Sequence, residues 1–180
     1  MVVLQELSPA NMFVLDLLKR DFPHQAVCGA ETLFAMAVLS KAPHLGKSRC
    51  SETRGLAAAQ VAMNEGPIWV VSVHWPWPWP AGGGAADRYM RELLSGLNAP
   101  IVLAGDFNTL PWTHRMTGAM RLTGTQRAGP TPLTLWHRKM RIPLPLDYVL
   151  SPGGGRVEAR PLFGSDHMGL VADVLLAPTE

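Results

Sequence analysis

The apolar positions of this chain fall into short runs with two periods, and the polar residues that interrupt them sit mostly at run ends. Val2, Val3 and Leu4 lead through Gln5 to Glu6 as one predicted strand. Ser8 and Pro9 then occupy the N-cap and first-turn positions of a predicted helix that runs to about Arg20. Leu33–Ser40, Gly55–Met63 and Ile68–His74 are rich in apolar and small residues and are separated by Pro, Gly, Asn and charged clusters, so they predict successive strands. Met90, Leu93, Leu94 and Leu97 fall at i, i+3, i+4 and i+7, the stripe of an amphipathic helix. The run Ile101–Ala104, bounded by Pro100 and Gly105, reads as a strand buried on both faces. Pro111 to about Leu122 predicts a short helix, Gly124–Pro143 a Pro-, Thr- and Arg-rich loop, and Leu146–Leu150, Arg156–Arg160 and Met168–Leu176 the closing strands. Strands and helices mix without strict alternation, which favours an α/β chain of the layered α+β kind. Residues 1–180 make one domain, long enough to bury roughly 70% of the unfolded surface.

The polar residues at the strand ends are the second pattern. Glu6, His74, Asp106, Asn108, Asp147, Asp166 and His167 stand where buried strands would exclude them. Singly, each has an ordinary explanation: a surface cap, a satisfied core histidine, or a turn whose side chains bond the backbone. Taken together they are a set of carboxylates whose burial near one another requires a compensating cation. Oxygen donors without cysteine fit a hard ion such as Mg2+ or Mn2+. A histidine beside such a cluster moves protons near neutral pH, and an asparagine with a second histidine donates hydrogen bonds where negative charge develops. That inventory suits metal-assisted attack of water on a phosphoester.

Charge and aromatic content sharpen the expected substrate. The formal net charge is +2, yet no acidic residue lies between Asp106 and Asp147, where Arg115, Arg121, Arg127, Arg138, Lys139 and Arg141 do lie. A one-signed segment directly after a candidate site suggests a polyanionic ligand. Trp75, Trp77 and Trp79 alternate with prolines after His74; such a stiff loop either packs its rings on the core or offers them to nucleobases. Trp112 and Trp136, within the basic segment, invite the same two readings. The basic loop around Arg138, Lys139 and Arg141, interleaved with aromatics, favours nucleic acid. No apolar run approaches the roughly 20 residues of a membrane span, and Met1–Asn11 has no basic leader or cleavage site. Cys28 and Cys50 are expected as free thiols in a reducing compartment, with the cytoplasm favoured.

The segments "VVLQE", "VVSVHW", "GDFN", "LDYVL" and "GSDH", in this order, resemble the endonuclease/exonuclease/phosphatase superfamily that includes DNase I, exonuclease III, sphingomyelinases and inositol phosphatases. "GDFN" followed by "SDH" is the specific part, and "HWPWPWP" with "GDFNTLPW" looks closest to a bacterial branch. The resemblance covers Val2 to about Leu176. It implies a four-layered α/β sandwich, DNase I-like, of two mixed β-sheets flanked by helices. It also implies roles: Glu6, Asp106 and Asp166 toward a metal, Asp106 on the attacking water and Asn108 on the phosphate. His74 would stabilise the phosphate or leaving group, His167 would be the catalytic histidine, and Asp147 would hold it by a hydrogen bond. Trp75, Trp77, Trp112, Arg138, Lys139 and Arg141 are the expected substrate contacts. Two departures stand out. The sequence begins beyond the family's first strand, so the edge of Met1–Gln5 is expected to be unpaired and to favour homodimerisation or strand exchange; Pro145 stands where many relatives carry arginine. The leading expectation is a Mg2+- or Mn2+-dependent DNA phosphodiesterase, an endonuclease of low sequence preference. Phosphomonoester, phospholipid or inositol-phosphate hydrolysis is the second reading, and a nucleic-acid-binding module of weak turnover the third.

Overall fold

A computed structural model describes residues 1–51, 55–77, 83–98, 100–137 and 142–177. The elements are β1 (Val2–Leu7), α1 (Phe13–Leu18), β2 (His24–Cys28), β3 (Ala35–Ser40), β4 (Arg49–Cys50), β5 (Leu56–Val61), β6 (Ile68–His74) and α2 (Gly83–Ser95). They continue with β7 (Ile101–Asp106), α3 (His114–Thr123), β8 (Gln126–Arg127), β9 (Leu135–His137), β10 (Ile142–Leu144), β11 (Asp147–Ser151), β12 (Gly155–Ala159) and β13 (Leu170–Val174).

Side-chain alternation along the strands builds the expected four layers. One sheet has the order β1-β3-β2, and a six-stranded sheet has the order β4-β5-β6-β7-β11-β8. Odd positions Trp69, Val71, Val73, Ile101 and Leu103, with Tyr148 and Leu150, face the stripe of α2 (Met90, Leu94, Leu97) and Met116 and Ala119 of α3. Their neighbours Ile68, Val70, Val102 and Val149 face the other way, onto Ala26, Met36 and Val38 of the smaller sheet. This is the period-two consequence of a pleated strand between two apolar partners. The outer face of the smaller sheet, Ala35, Ala37 and Leu39, is covered by Leu15 of α1. The β12–β13 and β9–β10 hairpins complete the fold. Pairing differs from expectation in one respect: the smaller sheet is antiparallel throughout, and the mixed character comes from the parallel β6–β7 pair.

Several local expectations are corrected. The first helix starts at Phe13 rather than Pro9, because the Asn11 side chain accepts the Ser8 N–H at 2.6 Å and folds residues 8–12 into turns. The segment 124–143 contains β8, β9 and β10 rather than continuous loop. Strand β2 has no counterpart among the elements predicted from the sequence, since His24 and Gln25 hide its alternation. Cys28 and Cys50 are not free thiols: they form a disulfide with Cα atoms 5.6 Å apart. The two residues end β2 in one sheet and β4 in the other, so only the stacking of the sheets brings them together. Among the described residues no helix is long and apolar enough to cross a membrane.

The disulfide closes a 22-residue separation and ties the two sheets at one end. Replacing both cysteines with serine is expected to cost about 3 kcal/mol through the freed chain entropy. Urea unfolding of the oxidised protein and the double variant, compared at equal m-value, measures that difference.

Candidate active site

Register brings the site together. In the parallel β6–β7 pair His74 stands beside Asp106, and in the antiparallel β7–β11 pair Asp147 stands beside Asp106. The three share the parity of Val70, Val102 and Val149, so they emerge on the face toward β1. Strand β1 crosses that face. The Gln5 amide donates to Ser72 Oγ at 2.9 Å, and Ser72 Oγ donates to the Leu4 carbonyl at 2.9 Å. Gly105 is required twice over: at its φ of 134° a Cβ would meet the carbonyl of Val73 on the paired strand β6 at 2.2 Å and the Gln5 amide of the crossing strand at 2.8 Å. A β-bulge between Leu4 and Leu7 then turns Glu6 over the strand ends. Glu6 and Asn108 both adopt positive φ, 55° and 44°, a conformation that costs a non-glycine residue free energy and occurs preferentially at functional sites.

Each polar group has a defined partner. Glu6 Oε1 lies 3.3 Å from His74 Nε2, and Asp106 Oδ2 lies 3.8 Å from the same nitrogen. The Asn108 backbone N–H donates to Asp106 Oδ1 at 2.7 Å, and its side-chain amide donates to the Trp75 carbonyl at 2.8 Å. His167 Nδ1 lies 2.7 Å from Asp147 Oδ2, and the His167 backbone N–H donates to Ser165 Oγ at 3.1 Å. Glu6, His74, Asp106, Asn108, Asp166 and His167 line one cleft of about 580 Å³, walled by Pro76, Trp77, Leu135 and Trp136.

The electrostatics follow from burial and proximity. Burial, then the facing Asp147 carboxylate, pushes Asp106 up to about 7, against the stabilising N–H of Asn108. Burial also lowers the His74 imidazole, partly countered by Glu6. For His167 burial opposes the charge, but the hydrogen bond and charge of Asp147, aided by Asp106 and Asp166, hold it up at about 9. The site therefore keeps one histidine neutral and one cationic at neutral pH.

The donor set fits a divalent cation. Asp106, Asp147 and His167 each bring a ligand atom within 4.8 Å of the others. His167 Nδ1 is committed to Asp147, which leaves the carboxylates as the available donors. Two facing carboxylates whose repulsion raises Asp106 are the electrostatic arrangement that a cation relieves. Among the described residues the group whose ligand atoms come together is thus Asp106, Asp147 and His167 rather than the expected Glu6, Asp106 and Asp166; Glu6 and Asp166 border the same pocket with Asp106 and Asp147.

Of the expected site residues, Glu6, His74, Asp106, Asn108, Asp147, Asp166 and His167 converge. Trp77 lines the cleft and is 48% exposed. Trp75 does not serve as an expected base contact: it is 1% exposed, its ring is packed against Phe107, and its indole N–H donates to Asp87 at 2.7 Å. Trp112 is exposed but does not line the cleft. Arg138, Lys139, Arg141 and Trp79 lie outside the described residues. Trp136, for which core packing and nucleobase contact are both expected from the sequence, lines the cleft; its neighbour Leu135 on β9 is not among the expected site residues, because a three-residue strand inside a Pro-rich segment leaves no periodic signal.

The sequence profile of the Endonuclease/Exonuclease/phosphatase family matches residues 1–167, and the chain belongs to that hydrolase family. The family is divalent-metal dependent. No curated protein matches the chain in sequence. Among solved structures it is similar to the 3'-5' exonuclease NExo from Neisseria meningitidis (TM-score 0.70, 16% identity, 95% of this chain and 87% of that one). It is also similar to Danio rerio TDP2 complexed with a single-strand DNA product (0.69, 17%, 95% and 84%), and to sphingomyelinase C from Streptomyces griseocarneus (0.62, 19%, 96% and 82%). At these identities the likeness is one of fold.

The His167–Asp147 pair yields a signed pH prediction. Its folded pKa lies above the ordinary 6.5, at about 9. The stability it contributes is therefore complete below pH 6.5 and is lost as pH rises toward 9. Asp147→Asn is expected to bring the His167 titration, followed by imidazole NMR shifts in metal-free protein, back toward 6.5 or below.

Proposed function

We propose that this protein is a Mg2+- or Mn2+-dependent phosphodiesterase that hydrolyses DNA, cutting internally with little sequence preference. One observation carries the reading. A histidine fixed by Asp147, the buried Asp106 carboxylate and Asn108 all border one cleft with two half-exposed tryptophans. Phosphate-holding groups and flat rings are both indifferent to base identity, which supports low specificity. NExo, solved bound to a product DNA hairpin, and Danio rerio TDP2, solved with a single-strand DNA product, support the choice of DNA as substrate.

Glu6, Asp106 and Asp166 would hold the cation. A bound divalent ion supplies Lewis-acid polarisation of the phosphoryl oxygens and a more acidic water. The chain's own groups do the rest. Asn108, locked by Trp75 and Asp106, presents its polar end to the phosphate. Asp106 orients the attacking water and takes its proton as the new O–P bond forms. His167, oriented through Nδ1, turns Nε2 to the phosphate, where its charge offsets the negative charge of the transition state. His74, neutral and beside Glu6, donates a hydrogen bond to the phosphate or to the oxygen that leaves as its P–O bond breaks.

A second reading, phospholipid hydrolysis, is favoured by one feature: Leu162 and Phe163, 44% and 84% exposed, stand on the segment leading into Asp166 and His167. We also carry two proposals about context. Among the described residues strand β1 pairs only with β3, and a groove of about 380 Å³ is lined by Val2–Gln5 together with Leu170; the unpaired edge supports a homodimer. The Cys28–Cys50 disulfide supports an oxidising compartment over the cytoplasm.

Supercoiled plasmid has no ends, so its nicking reports internal cleavage. Nicking is expected with Mg2+ or Mn2+ and not with EDTA, to weaken steeply as salt rises, and to fall about 100- to 10,000-fold in His167→Ala. Glu6→Ala is expected to raise the metal concentration required. Intact plasmid with headgroup release from phospholipid vesicles would establish the second reading instead. Sedimentation at twice the 19.6 kDa chain mass is the expected result for the dimer.

A further inference from the structure

The segment after β6 divides its side chains between two environments within three residues. Trp75 is buried, whereas Pro76 and Trp77 line the cleft. On the site side its backbone is tied to the β7 loop: the Trp75 N–H donates to the Asp106 carbonyl at 2.8 Å, and the Trp75 carbonyl accepts from Asn108. On the far side one guanidinium holds it. Arg115, in the first turn of α3, has a side chain only 9% exposed although arginine is rarely buried without reason. Its Nη1 donates to the Pro76 carbonyl at 2.7 Å, and its Nη2 donates to Asp87 Oδ1 of α2 at 2.9 Å. The same Asp87 oxygen accepts the Trp75 indole N–H, and the guanidinium carbon lies 5.2 Å from the Trp75 ring centroid. Pro76 has no N–H, so its carbonyl is its one backbone hydrogen-bonding handle, and Arg115 takes it.

We infer that Arg115 is a positioning residue that sets the direction of Trp77 and so shapes the cleft wall that receives a nucleobase beside the scissile phosphate. The guanidinium touches neither the catalytic groups nor the cleft; it acts through Pro76. Three simultaneous demands require arginine: two acceptors reached by a planar fork and a flat face on an indole. Lysine keeps the charge but cannot meet all three. The nucleobase role rests on the DNA reading above, whereas the positioning itself does not.

The test uses the full chain labelled with 5-fluorotryptophan, the Trp77 resonance being assigned through Trp77→Phe. In Arg115→Lys that resonance is expected to move toward the position of a fully exposed indole while the Trp112 resonance stays in place; an unmoved Trp77 signal overturns the inference. A second arm measures binding of a fluorescein-labelled oligo(dT) by anisotropy in EDTA. Arg115→Lys and Trp77→Ala are each expected to weaken binding about tenfold, the lower range for one stacked base. The double variant is expected to be no weaker than Trp77→Ala alone. Additive losses, or full affinity in Arg115→Lys, overturn the proposal. If the wild type binds no DNA while the Trp77 resonance still shifts, the substrate reading fails and the positioning role stands. Should Arg115→Lys not fold, Asp87→Asn loosens the same fork and is expected to shift the same resonance in the same direction, an unshifted signal again overturning the role.

Discussion

The structure turns on the alignment of three adjacent strand ends. His74, Asp106 and Asp147 are neighbours across β6, β7 and β11 because two registers, one parallel and one antiparallel, end at the same level. Placing two carboxylates opposite one another is unfavourable in an ordinary sheet. Here it is maintained by what surrounds it. The core packing of the same strands on α2 and α3 fixes the registers, since a one-residue slip would turn every apolar side chain to the wrong face. Burial and the unfavourable pairing show in the lowered acidity of Asp106, and the same carboxylates hold His167 above its ordinary value.

Around that alignment, three separate pieces of chain are brought in and held by specific bonds. Glu6 arrives on a bulged strand from the other sheet, with its backbone at positive φ and Gln5 anchored to Ser72. Asn108 arrives on the turn after β7, also at positive φ, and is held from both ends by Asp106 and Trp75. His167 arrives on the segment between β12 and β13, and Asp147 captures it. None of these three could be placed by local propensity, because each sits where the backbone departs from a regular element. At Glu6 and Asn108 the positive φ costs of order 1–3 kcal/mol apiece, and that cost is met by the rigidity of the two-sheet core.

The tryptophans divide by the same logic. Trp75 follows the inward parity of its strand, filling the space beside Phe107 and supplying an indole N–H to Asp87. Trp77 falls beyond the strand end and faces the cleft. A buried arginine on α3 joins this wall to α2 by hydrogen bonds to the Pro76 carbonyl and to Asp87.

Much of this was legible in the sequence. The chemistry-bearing residues Glu6, His74, Asp106, Asn108, Asp147, Asp166 and His167 announced themselves as polar groups in or at the ends of apolar runs; the periods of those runs pointed to strands and helices of a layered α+β class, and the four-layered sandwich came from the family resemblance. Motif order supplied the family. What the sequence could not supply was anything set by contact between distant segments. The Cys28–Cys50 bond, the burial of Trp75, the bulge at Glu6, the strand character of His24–Cys28 and the fork of Arg115 all depend on which surfaces stack. Period and composition record what one segment wants from its surroundings, namely an apolar face or a polar one. The identity of the partner, and hence the geometry of the site, is decided only when the sheets and helices close on one another.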